Sequence, residues 1–203
     1  MKKYKLTNET IVHLGFTLYR IESLMDFSDV KAGDKGGFVQ SENNLSQLCN
    51  AWVYGNAKVY GNAKVYDNSE VYGDAEVYDN AEVFVDAKVF GNASVCGNAS
   101  VYGNAEVFDY VKVRGDADVH GKAEVRGDAK VYKNSDYIVF KNWWSSGRYF
   151  TWTRSNKMWK VGCFYGNGEE LIKKAYADSE ESGKEYERVV RYVESILADE
   201  LNK

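Results

Sequence analysis

Val53-Tyr54-Gly55-Asn56-Ala57-Lys58-Val59-Tyr60-Gly61-Asn62-Ala63-Lys64 is two units of a six-residue pattern that runs in one register from Val53 to Asp136. The unit is Val, aromatic, Gly, Asn or Asp, Ala, charged, and Val holds its place in all 14 units. A period of six fits neither a helix nor a simple alternating strand. It marks a solenoid, in which each unit buries its apolar face only by stacking on its neighbours. In Ala57-Lys58-Val59-Tyr60 side chains alternate across a strand, so Ala and Val share the inner face and Lys and Tyr the outer. Gly61-Asn62 then turns the chain. Gly fills 9 of the 14 first corner sites and Asp 3 more, and Asn or Asp fills 12 of the 14 second sites. These are the residues that tolerate left-handed backbone best. The next site is Ala in 11 units and Ser in 2, which leaves room only for a thin core of stacked small side chains and valines.

With these motifs the chain resembles the hexapeptide-repeat proteins, whose fold is a left-handed parallel β-helix. The resemblance implies three hexads, or 18 residues, per coil and therefore about five coils. Charge pairing does not choose the coil size: Lys58 with Glu76, Lys64 with Glu82 and Glu70 with Lys88 favour a spacing of 18, but a spacing of 12 serves about equally well. The stretch from Leu18 to about Asn134 is also similar to a subset of these proteins from bacteria and tailed phages, often labelled putative transferases.

The expected architecture is mainly β, in three parts. Residues 1–50 form an N-terminal cap that feeds the first coil, 51–136 form the β-helix, and 137–203 form a C-terminal module. In the first part Thr17–Ile21 reads as a strand and the Gly-rich run after Val30 as a turn, because it lacks the spacing of a phosphate-binding loop. Val39 and Leu45 fall in phase with the inward small residues, so coiling starts near residue 38. The C-terminal module holds four of the five tryptophans within 17 residues. It reads as a β-hairpin around Ser155-Asn156-Lys157, a helix from about Glu169 to Ala177, a break at Ser182-Gly183, and a second helix with Tyr186, Val189, Val190, Val193, Ile196 and Leu197 on one face.

Charge and cysteine usage narrow the function. The chain has 26 basic and 30 acidic residues, a formal charge of −4, which is no footprint for nucleic acid. Its three cysteines are an odd number without metal-ligand spacing. They point to a reducing cytoplasm and to no metal. No long apolar run calls for a membrane.

The resemblance implies where catalysis would lie. Many hexapeptide-repeat proteins are acyltransferases that use a CoA thioester, with a His as general base beside a loop thrown out from the prism. Here His120 takes an outward aromatic position, and no loop interrupts any hexad. His120 is the catalytic candidate for a CoA-dependent acyltransferase; a binding protein needs no cofactor. Arg114, His120 and Arg126 recur at the same hexad position, which places them on three different faces, with Asp116, Asp118 and Asp128 as expected partners.

Ten of the 14 outward positions after Val are Tyr or Phe. At a spacing of 18, Tyr54, Tyr72, Phe90 and Phe108 form one stripe, Tyr66, Phe84 and Tyr102 another, and Tyr60 and Tyr78 a third. Ring pairs along a ladder contribute roughly 0.5–1 kcal/mol each. Three bare stripes exceed what a monomer exposes, so one is expected to be covered, by a second subunit in a dimer or trimer or by the C-terminal helix. Trp143, Trp144, Arg148, Trp152, Arg154, Lys157 and Trp159 form the candidate binding set. The resulting expectation is a non-catalytic binding protein, of phage or prophage accessory type, that engages a host protein or a small anionic ligand.

Overall fold

A computed structural model describes residues 2–201. The repeat is a parallel β-solenoid of about five turns. Each hexad contributes one two-residue strand, from β4 (Trp52–Val53) to β17 (Lys130–Val131). Strands pair in parallel with a spacing of 18: Val53 opposes Val71, Val59 opposes Val77 and Val65 opposes Val83. Three sheets result, one per face. The three expected ion pairs form, at 3.6, 3.8 and 3.2 Å for Lys58–Glu76, Lys64–Glu82 and Lys88–Glu70.

The inward rows form one core, with the repeat valines and alanines at 0–1 % exposure. Ser69 replaces Ala inside, and its hydroxyl is satisfied by the carbonyls of Tyr66 and Val83 at 2.8 and 2.9 Å. Corners are left-handed as the composition requires. At Gly91, φ is +70° and a Cβ would lie 2.9 Å from the Asp109 nitrogen of the next coil. Asp67, Asp79 and Asp109 adopt the same conformation, and so does the β-branched Val85, at φ +62°. Outside the corners, Asn62, Asn80, Asn98 and Asp116 pass side-chain hydrogen bonds from coil to coil.

The N-terminal segment is β1 (Tyr4–His13) and β2 (Phe16–Ser23), an antiparallel hairpin, followed by β3 (Lys35–Val39). Strand β3 pairs in parallel with β5 (Lys58–Val59), placing Val39 opposite Val59, and Leu45 bridges Val65. The first coil is therefore two residues longer than the rest, and Val39 and Leu45 join the valine rows instead of the alanine rows. The hairpin extends one face, which we call the hairpin face. It also folds over the solenoid: Phe16 and His13 pack on Tyr60, which is 3 % exposed, and Tyr4 and Phe27 pack on Trp52. The covered stripe is thus Tyr60–Tyr78 and its cover is the N-terminal hairpin.

The C-terminal module is a four-stranded antiparallel meander in which the expected hairpin is the central pair: β18 (Tyr137–Lys141), β19 (Tyr149–Thr153), β20 (Met158–Val161) and β21 (Phe164–Gly166). Strand β18 has no assignment in the sequence reading of the module, and its antiparallel pairing with β19 makes it the first module strand. Two helices follow, α1 (Gly168–Asp178) and α2 (Glu180–Leu201). The break between them is Ser179, in extended backbone, whose hydroxyl accepts the Ser182 N–H at 3.1 Å. Gly183 lies inside α2, where a Cβ would overlap the Tyr176 ring, so it serves close helix packing and not a break. Helix α2 packs on the meander through Val189, Val190 and Val193, together with Phe150, Trp152 and Trp159, and so does not cover an aromatic stripe of the solenoid. Among the described residues no helix is long and apolar enough to cross a membrane.

Candidate binding groove in the C-terminal module

Strand β19 alternates its two faces. Phe150 and Trp152 point to the helices, while Thr151 meets the solenoid, where its hydroxyl accepts the Glu124 N–H at 2.9 Å. On β20, Trp159 joins the helix side and Lys160 reaches the Glu124 carboxylate at 2.6 Å. The meander is consequently a layer between the last coil and the two helices.

A groove of about 370 Å³ opens on the helix side of that layer. Trp152 and Trp159 form its floor, Val190, Val193 and Leu197 its apolar wall, and Asn167, Gly168 and Glu169 its rim. Both tryptophans are 2 % exposed, so their rings belong to the core and only their edges reach the groove. The rim is set by the start of α1. Asn167 caps that helix, accepting the Glu170 N–H at 3.0 Å, while the Glu170 side chain accepts the Asn167 N–H. At Gly168 a Cβ would lie 2.6 Å from a Val190 methyl, so glycine lets α1 approach α2 there.

Charge at the rim is partitioned. Glu169 and Glu194 both bind the Arg191 guanidinium, at 2.5 and 2.8 Å, and these bonds from Arg191 lower the Glu169 pKa. Lys157 has no ion-pair partner among the described residues and stands at φ +56° in the β19–β20 turn. One guanidinium serves both carboxylates and stands 3.8 Å from a third, Glu187, so the rim acids are held by Arg191 while the lysine makes no ion pair. The groove therefore offers aromatic edges and aliphatic groups beside one cation that makes no ion pair among the described residues.

The seven residues singled out in the sequence fall into separate places. Trp152, Lys157 and Trp159 share the groove. Trp143, at 76 % exposure, lies edge-on to Trp144 with ring centroids 5.0 Å apart. Trp144 packs on Phe150 and Tyr186, and its Nε1 is buried without a hydrogen-bond partner. Arg148 lies across the meander, in a polar cleft with Tyr149, Lys122 and Glu106. Arg154 is tied into the cap, donating from Nε to the Ser135 carbonyl at 3.1 Å.

His120 stacks on Tyr102 at 5.2 Å and meets Tyr137 edge-on, and among the described residues no carboxylate bonds its ring. Arg126 pairs with Asp109 at 2.9 Å, and Arg114 lies 3.9 Å over the Tyr132 ring. Of the expected acids, Asp118 makes no ion pair among the described residues, while Asp116 is engaged with Asn98 and Asp128 with Asn156. The reason is that the Asp109 side chain lies one coil back from Gly127, whose N–H it also accepts, and this brings it under Arg126.

The stripes stack as the spacing requires. Tyr72–Phe90 and Phe90–Phe108 centroids are 4.6 and 4.7 Å apart, and Tyr66–Phe84 and Phe84–Tyr102 both 4.9 Å. Tyr54 meets Tyr72 edge-on and donates its hydroxyl to Asp29 at 2.8 Å. Phe108 is buried under Arg126, and the other rings of both rows are half-buried.

Among the described residues no group of three or more His, Cys, Asp or Glu is placed to hold a metal ion. No protein-family model matches this chain, and no curated protein matches it.

Sequence reading did not select Tyr110, Met158 or Tyr165. They line a second groove, described below, and the available signal was Tyr110 standing where 12 of 14 hexads have Asn or Asp.

Proposed function

We propose that the chain is a non-catalytic binding protein of the hexapeptide-repeat kind, an accessory factor of phage or prophage type. The solenoid is its rigid support and the groove over Trp152 and Trp159 its ligand site. The carrying observation is Lys157, a cation without an ion-pair partner among the described residues, beside an aromatic and aliphatic groove whose two rim carboxylates are drawn to Arg191. A volume of about 370 Å³ suits a small ligand. Planar apolar ligands that carry negative charge match the lining; a side chain of a host protein with the same chemistry would use the same contacts.

The alternative, a CoA-dependent acyltransferase, asks His120 to act as general base. A base needs a partner that fixes its tautomer and raises its basicity. The ring contacts of His120 are with Tyr102 and Tyr137, which give it neither.

Native mass spectrometry of freshly purified protein tests for a retained ligand and reports subunit number in the same spectrum. Anilinonaphthalenesulfonate, a planar anionic dye, is a suitable probe of the groove. Binding should brighten the dye and quench tryptophan emission, and Lys157→Glu should weaken it about tenfold with an unchanged melt. Equal dye binding by Lys157→Glu would rule the groove out. Thiol release from acetyl-CoA that His120→Ala removes would favour the enzyme instead.

A further inference from the structure

The hairpin face changes character along its length. In its first half, charges alternate and a cover is present: Lys58 pairs with Glu76, and His13 of the hairpin approaches the same carboxylate to 3.1 Å. In its second half the outward residues are Ser94, Lys112 and Lys130 in one row, and Cys96, Arg114 and Tyr132 in the next. Lys112 stands directly opposite Lys130 in the ladder. Lys58 on this face, and Lys64 and Lys88 on the other two, each meet a glutamate across the ladder, whereas Lys112 and Lys130 are exposed and have no ion pair among the described residues. Like charges directly opposite destabilise a sheet, so this pair costs stability and gains nothing within the chain.

The corner beside this row is also irregular. Tyr110 replaces the usual Asn or Asp and is 66 % exposed, two residues before Lys112. With Met158 and Tyr165 from the module it walls a groove of about 550 Å³ at the junction of solenoid and cap. The two carboxylates in that groove are engaged, Asp109 by Arg126 and Asp128 by Asn156. The groove thus presents aromatic rings and a thioether around the amide-bound Asp128 carboxylate, and the edge beside it presents the two unpaired cations Lys112 and Lys130.

We infer that this edge binds an acidic segment of a partner protein, with an aromatic or aliphatic side chain seated between Tyr110, Met158 and Tyr165 and carboxylates set on Lys112 and Lys130. Same-face side chains on an extended segment repeat about every 6.6 Å, within reach of two flexible lysines stacked ~4.8 Å apart. Charge complementarity selects the acidic partner. The surface carries only a short cationic row on a chain of net charge −4, too little for a nucleic-acid backbone. The inference rests on the reading of the chain as a binding protein, but it uses residues separate from the tryptophan-floored groove.

Fluorescence anisotropy with the full chain and a labelled peptide alternating Glu and Phe provides the test. Lys112→Glu restores an oppositely charged pair with Lys130, so its melting temperature should hold or rise while peptide affinity falls about tenfold or more. Tyr110→Asn restores the usual corner residue and should weaken the peptide several-fold. Leu197→Ala, at a residue that lines only the other groove, should leave it unchanged, which separates failure of this surface from failure of the ligand groove. Undiminished binding by Lys112→Glu would overturn the inference. So would tighter binding of a single-stranded oligonucleotide or of phosphatidylserine vesicles than of the peptide.

Discussion

The two ends of the solenoid are capped by opposite chemistry. In a typical hexad three backbone N–H groups donate to the next coil, as Lys58, Tyr60 and Asn62 do to Ala75, Val77 and Asp79. The first coil therefore presents carbonyls with no preceding coil, and the last presents N–H groups with no following one. At the first end the caps are donors. The buried Lys3 amine reaches the Ala51 carbonyl at 2.8 Å and those of Leu48 and Cys49 at 3.4 Å, Asn44 donates to Gly61 and Ala63, and Tyr4 to Leu45. At the last end the caps are oxygen acceptors: Asn134 for Asp118, the Tyr137 hydroxyl for His120, Thr151 for Glu124, Ser155 for Lys130, and the Asp136 carboxylate for Tyr132 and Lys133. The polarity of the ladder dictates the sign of each cap, because a buried backbone group left unpaired costs about 1–3 kcal/mol. Capping also explains why the module begins with polar side chains at fixed places, whereas its helix side is free to carry a groove.

The comparison is sharpest against the middle, where neither cap acts and the backbone ladder is complete, so that substitutions there report on packing. Val95→Asp, at a position 0 % exposed, should lose several kcal/mol and unfold the repeat, since nothing inside can pair a carboxylate. Ala99→Leu should lose about 1–3 kcal/mol by overpacking. Circular-dichroism melts check both, and wild-type values would refute the inward assignment.

Alkaline pH should distinguish the coils near the first end. Tyr4, Tyr54, Tyr60 and Tyr66 are raised above the ordinary 10.0, first by burial and then by acids or acceptors such as Glu42, Asp29, Glu76 and Glu82. Above pH 10.0 the unfolded chain releases these protons while the folded chain keeps them. This stability is present below that pH and is lost as pH rises through the raised folded values. Lys3 acts in the opposite direction: burial lowers it from 10.5 to about 8, so between those values the unfolded chain holds the extra proton and the Lys3 contribution rises with pH. Urea unfolding across this range should show a rise and then a fall. Lys3→Met should remove the rise, and Tyr60→Phe with Tyr66→Phe should reduce the fall.

The caps themselves can be broken one group at a time. Lys3→Met leaves the Ala51, Leu48 and Cys49 carbonyls without their donor and should cost about 2–3 kcal/mol near neutral pH. Thr151→Val keeps the shape but orphans the Glu124 N–H and should cost about 1–2 kcal/mol. Chemical denaturation measures both, and equal, negligible losses would remove the polarity argument. The smallest effect should be a gain. Val85→Gly relieves a β-branched residue at φ +62° and should stabilise by about 1 kcal/mol, seen as a higher melting temperature.

The sequence by itself determined the repeat. The hexad period, the small and valine inward rows, the left-handed corners and the stacked aromatic stripes all follow from local rules, because each unit meets the same unit one coil away. It also located the two helices and the unusual concentration of tryptophans. Tertiary structure decided what periodicity cannot encode. The spacing of 18 was ambiguous from charges at the first coils and is settled by Val53 standing opposite Val71. Strand β18 became part of a meander only through β19, and Ser179 ended α1 because its backbone is extended there and its hydroxyl caps α2. The seven candidate residues were adjacent in sequence yet divide among a groove, an exposed loop, a polar cleft and a cap, since alternate residues of one strand face opposite layers. Lys3 and Tyr110 carried little signal on their own. One is defined by the carbonyls it reaches across the fold, and the other by the groove that Met158 and Tyr165 complete.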